Sequence, residues 1–298
     1  MELDLSWAAL AAAFGGGVFG AAIGTLPAFI LTGFAVLAGV AAAVGGGGTA
    51  ILDQIAFGPF LGPHVAFGGG VGALSYAHSK GWVESARDIT PPLMGLGRAD
   101  VLAVGGLFGM MGYLIERGFQ ALGLGPWTDA IGLTVVVSAI VARLAFGRTG
   151  LFGTPGPNGK WLRPDDAACW VRWQEKPAQL VLIGLGAGLP SAYVALMLGA
   201  PAGAVAGFGV AAASLIFAQM GGQTPVTHHI ALPAAAGALA TGSLAGGVVF
   251  GLIGAFAGEF FARLLLNHGD THIDPPAAAI AFTVMLVQLL GLALPAAP

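Results

Sequence analysis

Charge is what this sequence has least of. No Asp, Glu, Lys or Arg occurs between Leu5 and Leu52, and none between Pro177 and Gly258. The 298 residues include 11 basic and 14 acidic side chains, 8% of the chain, against about 25% in an ordinary soluble domain. An 82-residue run without a formal charge cannot solvate the outside of a water-soluble fold. It has room for about four apolar segments of ~20 residues, the length that crosses a bilayer. Soluble enzymes, nucleic-acid binders and disordered chains are thereby excluded, and nucleic acid is not an expected partner. Cysteine is almost absent too. Cys169 stands alone, so no internal disulfide can form. G-x-S-x-G, H-E-x-x-H and Walker A motifs are missing, which removes support for nucleotide-driven pumping and for familiar membrane hydrolases. Nothing implies a cofactor.

What is present is apolar and small. Hydrophobic residues make up 56% of the chain, and 51 positions are glycine. The ten-residue alternation of a membrane barrel does not occur. The expected class is an all-α polytopic membrane protein of about ten transmembrane helices. The apolar segments run roughly 10–34, 36–53, 61–78, 101–122, 129–147, 178–198, 202–220, 225–242, 243–265 and 275–295. Met-Glu-Leu-Asp-Leu at the start lacks the basic region of a signal peptide, so the first segment is expected to stay as a span. Small residues let helix backbones approach closely, in the monomer or between copies, so a homo-oligomer is also compatible.

Basic residues give the orientation. Lys80, Arg87 and Arg98 lie in the 78–100 loop; Arg148, Lys160, Arg163, Arg172 and Lys176 lie in the 147–176 linker; Arg263 begins the next polar loop. Ten crossings put all three on one side, and the positive-inside rule makes that side cytoplasmic. Both termini are then extracytoplasmic, with acidic Glu2 and Asp4 among them, in the inner or plasma membrane. Trp161, Trp170 and Trp173 in the linker suit an interface.

The chain also repeats itself. Ile51 to Leu74 aligns without gaps onto Ile216 to Leu239 at an offset of 165, pairing Gln54 with Gln219 and His64 with His229. Leu26-Pro27 pairs with Leu189-Pro190 at an offset of 163, within the first span of each half. Gly105-Gly106 pairs with Gly246-Gly247 at 141, and Asp129 and Asp274 each cap the last helix of a half. The expected organisation is repeat 1 over 1–147, a polar cytoplasmic linker over 148–177, and repeat 2 over 178–298. Five spans per half is an odd number, so the second repeat enters the membrane upside down. Inverted repeats commonly enclose a substrate site at their interface near the midplane.

Several residues could carry chemistry there. Gly58-Pro59-Phe60-Leu61-Gly62-Pro63 precedes His64, and Gly221-Gly222-Gln223-Thr224-Pro225 precedes His228 and His229. Both stretches read as joints of broken or re-entrant helices, tolerated at depth only where protein or water covers them. Intramembrane ionisable residues are functional candidates by default. His64, His229 and His228 are therefore expected on a pathway, with Gln54 and Gln219 offering hydrogen bonds and Pro27 and Pro190 freeing carbonyls. Asp53 is a candidate for proton coupling. His268, Asp270 and His272 alternate as weak metal-ligand candidates, without the second motif that a zinc site needs.

With Leu26-Pro27-Ala28-Phe29 and Leu189-Pro190-Ser191-Ala192, the layout resembles the urea channels, which carry a Leu-Pro motif in each half and a pore between repeats. Gly62-Pro63-His64-Val65-Ala66-Phe67 also resembles bacterial permease-type membrane proteins of unassigned function. These likenesses imply a transporter or channel for a small polar solute or ion. The competing expectation is a membrane-embedded enzyme or lipid-handling protein that uses the histidines or the 268–274 loop.

Overall fold

The computed structural model describes residues 4–157, 159–165 and 168–290. Glu2, Asn158 and the 291–295 end of the tenth apolar segment lie outside them. Among the described residues there are eleven α-helices and no β-strand. They are α1 (Trp7–Ile23), α2 (Thr25–Val44), α3 (Gly68–Ser79), α4 (Ala99–Ala121), α5 (Ala130–Phe146), α6 (Pro177–Leu198), α7 (Ala202–Ala213), α8 (Ile216–Gln219), α9 (His228–Thr241), α10 (Leu244–Phe261) and α11 (Pro275–Leu289). Five stretches are long and apolar enough to cross a membrane: α2, α4, α6, α7 with α8, and α10 with the π-helical turn Ala262–Leu266. The helices α1, α5 and α11 are apolar but shorter.

The local chemistry of the helix ends is legible. Ser6, Asp129, Ser243 and Asp274 each accept a hydrogen bond from an amide in the first turn of α1, α5, α10 and α11. Proline opens α6 and α11, where its missing N–H costs nothing. A π-helical turn, Pro63–Phe67, leads into α3. Before it the chain bends through 57–62, and before α9 it is non-helical from 222 to 227, so both histidine-bearing helices follow an interruption.

The first two segments differ from the expectation. One span over 10–34 is in fact two helices, broken at Gly24, whose φ of +103° favours a residue without Cβ. Hydropathy is continuous across that point, so no polar signal marks the break. The amides and carbonyls it frees are satisfied by the polar loop after α3. Ile89 accepts from the Leu26 amide, and Leu93 donates to the Ala21 carbonyl. That loop is folded inward, with Ala86 and Leu93 buried.

Packing in the second half repeats packing in the first. Gly17 of α1 lies against Gly105 and Gly109 of α4, and Gly188 of α6 lies against Gly251 of α10. A Cβ on Gly72 would meet Phe108, and one on Gly237 would meet Phe250. These contacts put α1 and α6 in register at an offset of 171, and α4 and α10 at 142. The offset of 141 from the Gly-Gly pairs is therefore one residue short. The Leu-Pro pairing also fails, because Pro27 sits in the first turn of α2 whereas Pro190 sits inside α6. Between the halves, α2 crosses α7, with Gly33 against Ala212 and Ala213 and Gly209 against Val36. α5 meets α11 by their first turns: Gly132 approaches the Ala277 carbonyl, and Thr128 Oγ1 donates to the Ala281 carbonyl at 2.9 Å.

The basic loops gather on one side. Arg87 donates to the Ala168 carbonyl, Ala86 bridges Thr271, Gln219 donates to the Thr90 carbonyl, and Trp173 Nε1 donates to the Thr224 carbonyl. Arg143 is the anchor beneath them. It is 1% exposed and donates to the Leu151, Leu265 and Thr271 carbonyls and to Thr271 Oγ1. In the last turns of α5, this guanidinium is a buried staple.

Candidate functional site

A cavity of about 240 Å³ lies between the two halves. Its walls come in corresponding pairs. Pro63 and His228, and Phe67 and Leu232, are related by the offset of 165. Asp129 and Asp274, Ile131 and Pro276, Gly132 and Ala277, and Val135 and Ile280 are related by 145. The cavity therefore sits where the repeated units face each other. Leu26, Phe29, Phe57, Phe208 and Leu215 add apolar surface. On the side of the basic loops, Arg87, Asp88, Ile89, Trp170 and Val226 close it.

Most of its surface is apolar, with a few convergent polar groups. Asp129 spends Oδ1 on the Gly132 amide. Asp274 spends Oδ2 on the Ala277 amide at 2.8 Å and holds His272 Nε2 at 3.2 Å through Oδ1. His272 also pairs its Nδ1 with the Arg87 carbonyl at 3.2 Å, tying the loop after α3 to the start of α11. His228 is 5% exposed, and its ring lies 4.7 Å from Phe29 and 5.9 Å from Phe208 between centroids. Its buried Nδ1 has no hydrogen-bond partner among the described residues. Arg87 spends one Nη on the Ala168 carbonyl, while burial pushes its pKa below the ordinary guanidinium value.

The sequence candidates scatter. His64 and His229 are both fully buried, and no ring nitrogen of either has a hydrogen-bond partner among the described residues. They do not come together and neither lines the cavity. His64 stacks on Tyr113 at 6.4 Å, whereas His229 lies 5.9 Å from Trp170 and 5.9 Å from His228. Each presses its backbone carbonyl on a glycine, Gly112 of α4 for His64 and Gly254 of α10 for His229. Of the three histidines, only His228 reaches the cavity. Gln54 is exposed, and Asp53 is exposed and accepts from the Thr49 hydroxyl at 2.6 Å. Gln219 is tied to the Thr90 carbonyl at 3.2 Å beside the cavity-lining Ala218. Pro27 and Pro190 lie outside the walls.

The 268–274 loop is spent on structure. His268 pairs with the Trp161 carbonyl, Asp270 accepts from the Arg148 amide and the Thr149 hydroxyl, and His272 bonds Arg87 and Asp274. Among the described residues, no three His, Cys, Asp or Glu side chains gather as metal ligands. Sequence reasoning overlooked Asp129, Asp274 and Arg87 as cavity groups. The recurrence of an Asp opening the last helix of each half is the available signal, and capping accounts for it equally well.

Fold and cavity together define an all-helical protein with several apolar helices of membrane length and a polar-spotted chamber between two similarly packed halves. The chain belongs to the family described as a family of unknown function, DUF7973, which residues 1–162 and 159–294 each match. Two successive matches of about half the chain each agree with the repeated packing. That family carries no assigned function, and no urea-channel or permease family is shown for this chain. No curated protein and no solved structure matches this chain.

Proposed function

We propose that this protein is a membrane transporter or channel for a small polar solute or ion, with the pathway running through the cavity between two inverted repeats. Repeat 1 is 1–147, repeat 2 is 178–298, and 148–177 links them on the cytoplasmic side. The observation that carries the reading is the set of matched wall positions. A chamber lined by the same places of two related units is where alternating access, or a symmetric pore, has its substrate site. The clustering of the basic loops favours ten crossings with both termini outside, in the inner or plasma membrane. A volume of about 240 Å³ lies below the about 300–1,000 Å³ of drug-sized sites, which favours a small solute.

Within this reading His228 is the histidine of the pathway. His64 and His229 seat the helices that follow the interruptions, each through its carbonyl against a helix glycine. Gln219, Pro27, Pro190, Gln54 and Asp53 act outside the chamber. The test is osmotic swelling of proteoliposomes challenged with small ionic and neutral solutes. Ala218→Trp, which fills the chamber, should abolish flux of the accepted solute. Leu182→Trp, on a residue 69% exposed on α6, should leave it unchanged. Equal flux in the two variants would refute a pathway through this chamber.

A further inference from the structure

The chemistry of the chamber says more about its occupant, on the reading that solute passes there. Besides Asp88 of the loop after α3, whose Oδ1 accepts from Thr90, two carboxylates face it from equivalent helix starts, and they are not equally spent. Asp274 has both oxygens engaged, one on the Ala277 amide and one on His272. Asp129 uses Oδ1 on the Gly132 amide, and Oδ2 receives no hydrogen bond from a described residue. The opposing cation, Arg87, stands on the loop after α3 and gives one Nη to the Ala168 carbonyl, while its buried Nε has no partner among the described residues.

A second, independent feature belongs to the wall of the same space. His228 is 5% exposed, lines the chamber, and has no partner for its buried Nδ1 among the described residues. A buried imidazole nitrogen without a partner leaves its desolvation uncompensated unless a ligand or water supplies the bond. Around it are ring faces: Phe29, Phe57, Phe67, Phe208 and Trp170 all line the cavity. Aromatic faces attract cations, most strongly when desolvated. An open carboxylate oxygen and a neutral imidazole nitrogen both accept hydrogen bonds from an ammonium group. An anion would find two of the helix N-termini at the chamber already occupied by the Asp129 and Asp274 carboxylates.

We infer that the chamber binds a small organic cation, a protonated amine or alkylammonium, with its charge on Asp129 and its apolar body against the Phe29–Phe208 walls beside His228. Asp129 is the specificity-determining residue for charge. Asp274 is a positioning residue, since its carboxylate is held by His272.

Titration calorimetry of the detergent-purified full chain at pH 7 tests this with butylammonium, tetramethylammonium, butanol and butyrate as probes. The two cations should bind at least tenfold more tightly than butanol or butyrate. Asp129→Asn keeps a capping side chain and should lower cation affinity at least tenfold. Phe208→Leu should weaken cations more than butanol. Cation affinity unchanged in Asp129→Asn, or butyrate or butanol binding as tightly as butylammonium, would overturn the inference. So would the absence of binding by either cation to a wild-type protein that is folded by its thermal transition. Cation binding without proteoliposome flux would sink the transport reading and leave the site intact. Flux of a neutral or anionic solute, blocked by Ala218→Trp, would do the reverse.

Discussion

The carbonyl oxygen of His229 occupies the space where a Cβ on Gly254 would stand. The same relation joins His64 and Gly112. Each contact lets an interrupted helix lie on its neighbour without a side chain between them, the small-residue packing that holds apolar helices together in lipid. Gly112→Ala and Gly254→Ala should each lose about 1–3 kcal/mol through overpacking. Gly118→Ala and Gly186→Ala, with open space around the glycine, should be neutral or slightly stabilising. Thermal unfolding of purified variants separates the two classes. Four similar midpoints would remove the packing argument.

Arg143 ties three segments to the end of α5. Its guanidinium meets Thr271 Oγ1 at 3.0 Å and the Leu151 carbonyl at 2.9 Å, and it also holds the Leu265 and Thr271 carbonyls. Arg143→Leu leaves these buried acceptors unsatisfied, at about 1–3 kcal/mol each before relaxation. Strong loss of folded yield is expected. Arg143→Lys should rescue little, because an ammonium cannot reproduce the planar fork. The ratio of monodisperse to aggregated protein in size-exclusion chromatography is the readout, and a lysine variant equal to wild type would contradict the fork.

Asp270 gives a pH dependence. Burial alone would raise its pKa, but hydrogen bonds from the Arg148 amide and the Thr149 hydroxyl, with Arg143 nearby, hold it below the ordinary 3.8. A carboxylate with a lowered folded pKa contributes stability that is present above its unfolded value. That contribution is lost as pH falls through the folded value. Thermal midpoints should therefore fall in acid, below about pH 4, and Asp270→Asn should flatten that limb. An acid limb of unchanged slope in the variant would show that Asp270 is not responsible.

The proposed sidedness rests on the positive-inside rule applied to the basic loops. With Cys169 replaced by serine, cysteines introduced at Lys80 and Lys160 should react with an impermeant thiol reagent only in inside-out vesicles. Cysteines introduced at Pro126 and Leu244 should react only in right-side-out ones. Labelling of all four from one side would rule out the inverted arrangement.

How much of this was legible in the sequence depends on the feature. The missing charges gave the helical class, and the run from Ile51 to Leu74 matched to Ile216 to Leu239 gave the duplication, because pattern alone reveals both. Gly24 was invisible because an Ala- and Gly-rich span carries no polar mark where it breaks. The histidines illustrate the remaining gap. The repeat aligns His64 with His229, but the cavity wall falls one residue earlier, on Pro63 and His228. A pairing of sequence positions does not say which side of a helix faces the axis. Asp129 and Asp274 were seen as caps, and caps they are; that α5 and α11 meet by their first turns, bringing both to one chamber, is a tertiary fact with no local signature.

The most direct measurement is reversible block of the chamber in one and the same protein. Ala218→Cys in a Cys169→Ser background is reconstituted, and solute flux is followed before a methanethiosulfonate reagent, after it, and after reductant. If the chamber is the pathway, flux stops on modification and returns on reduction. Flux that continues unchanged when the introduced thiol is fully modified would contradict it.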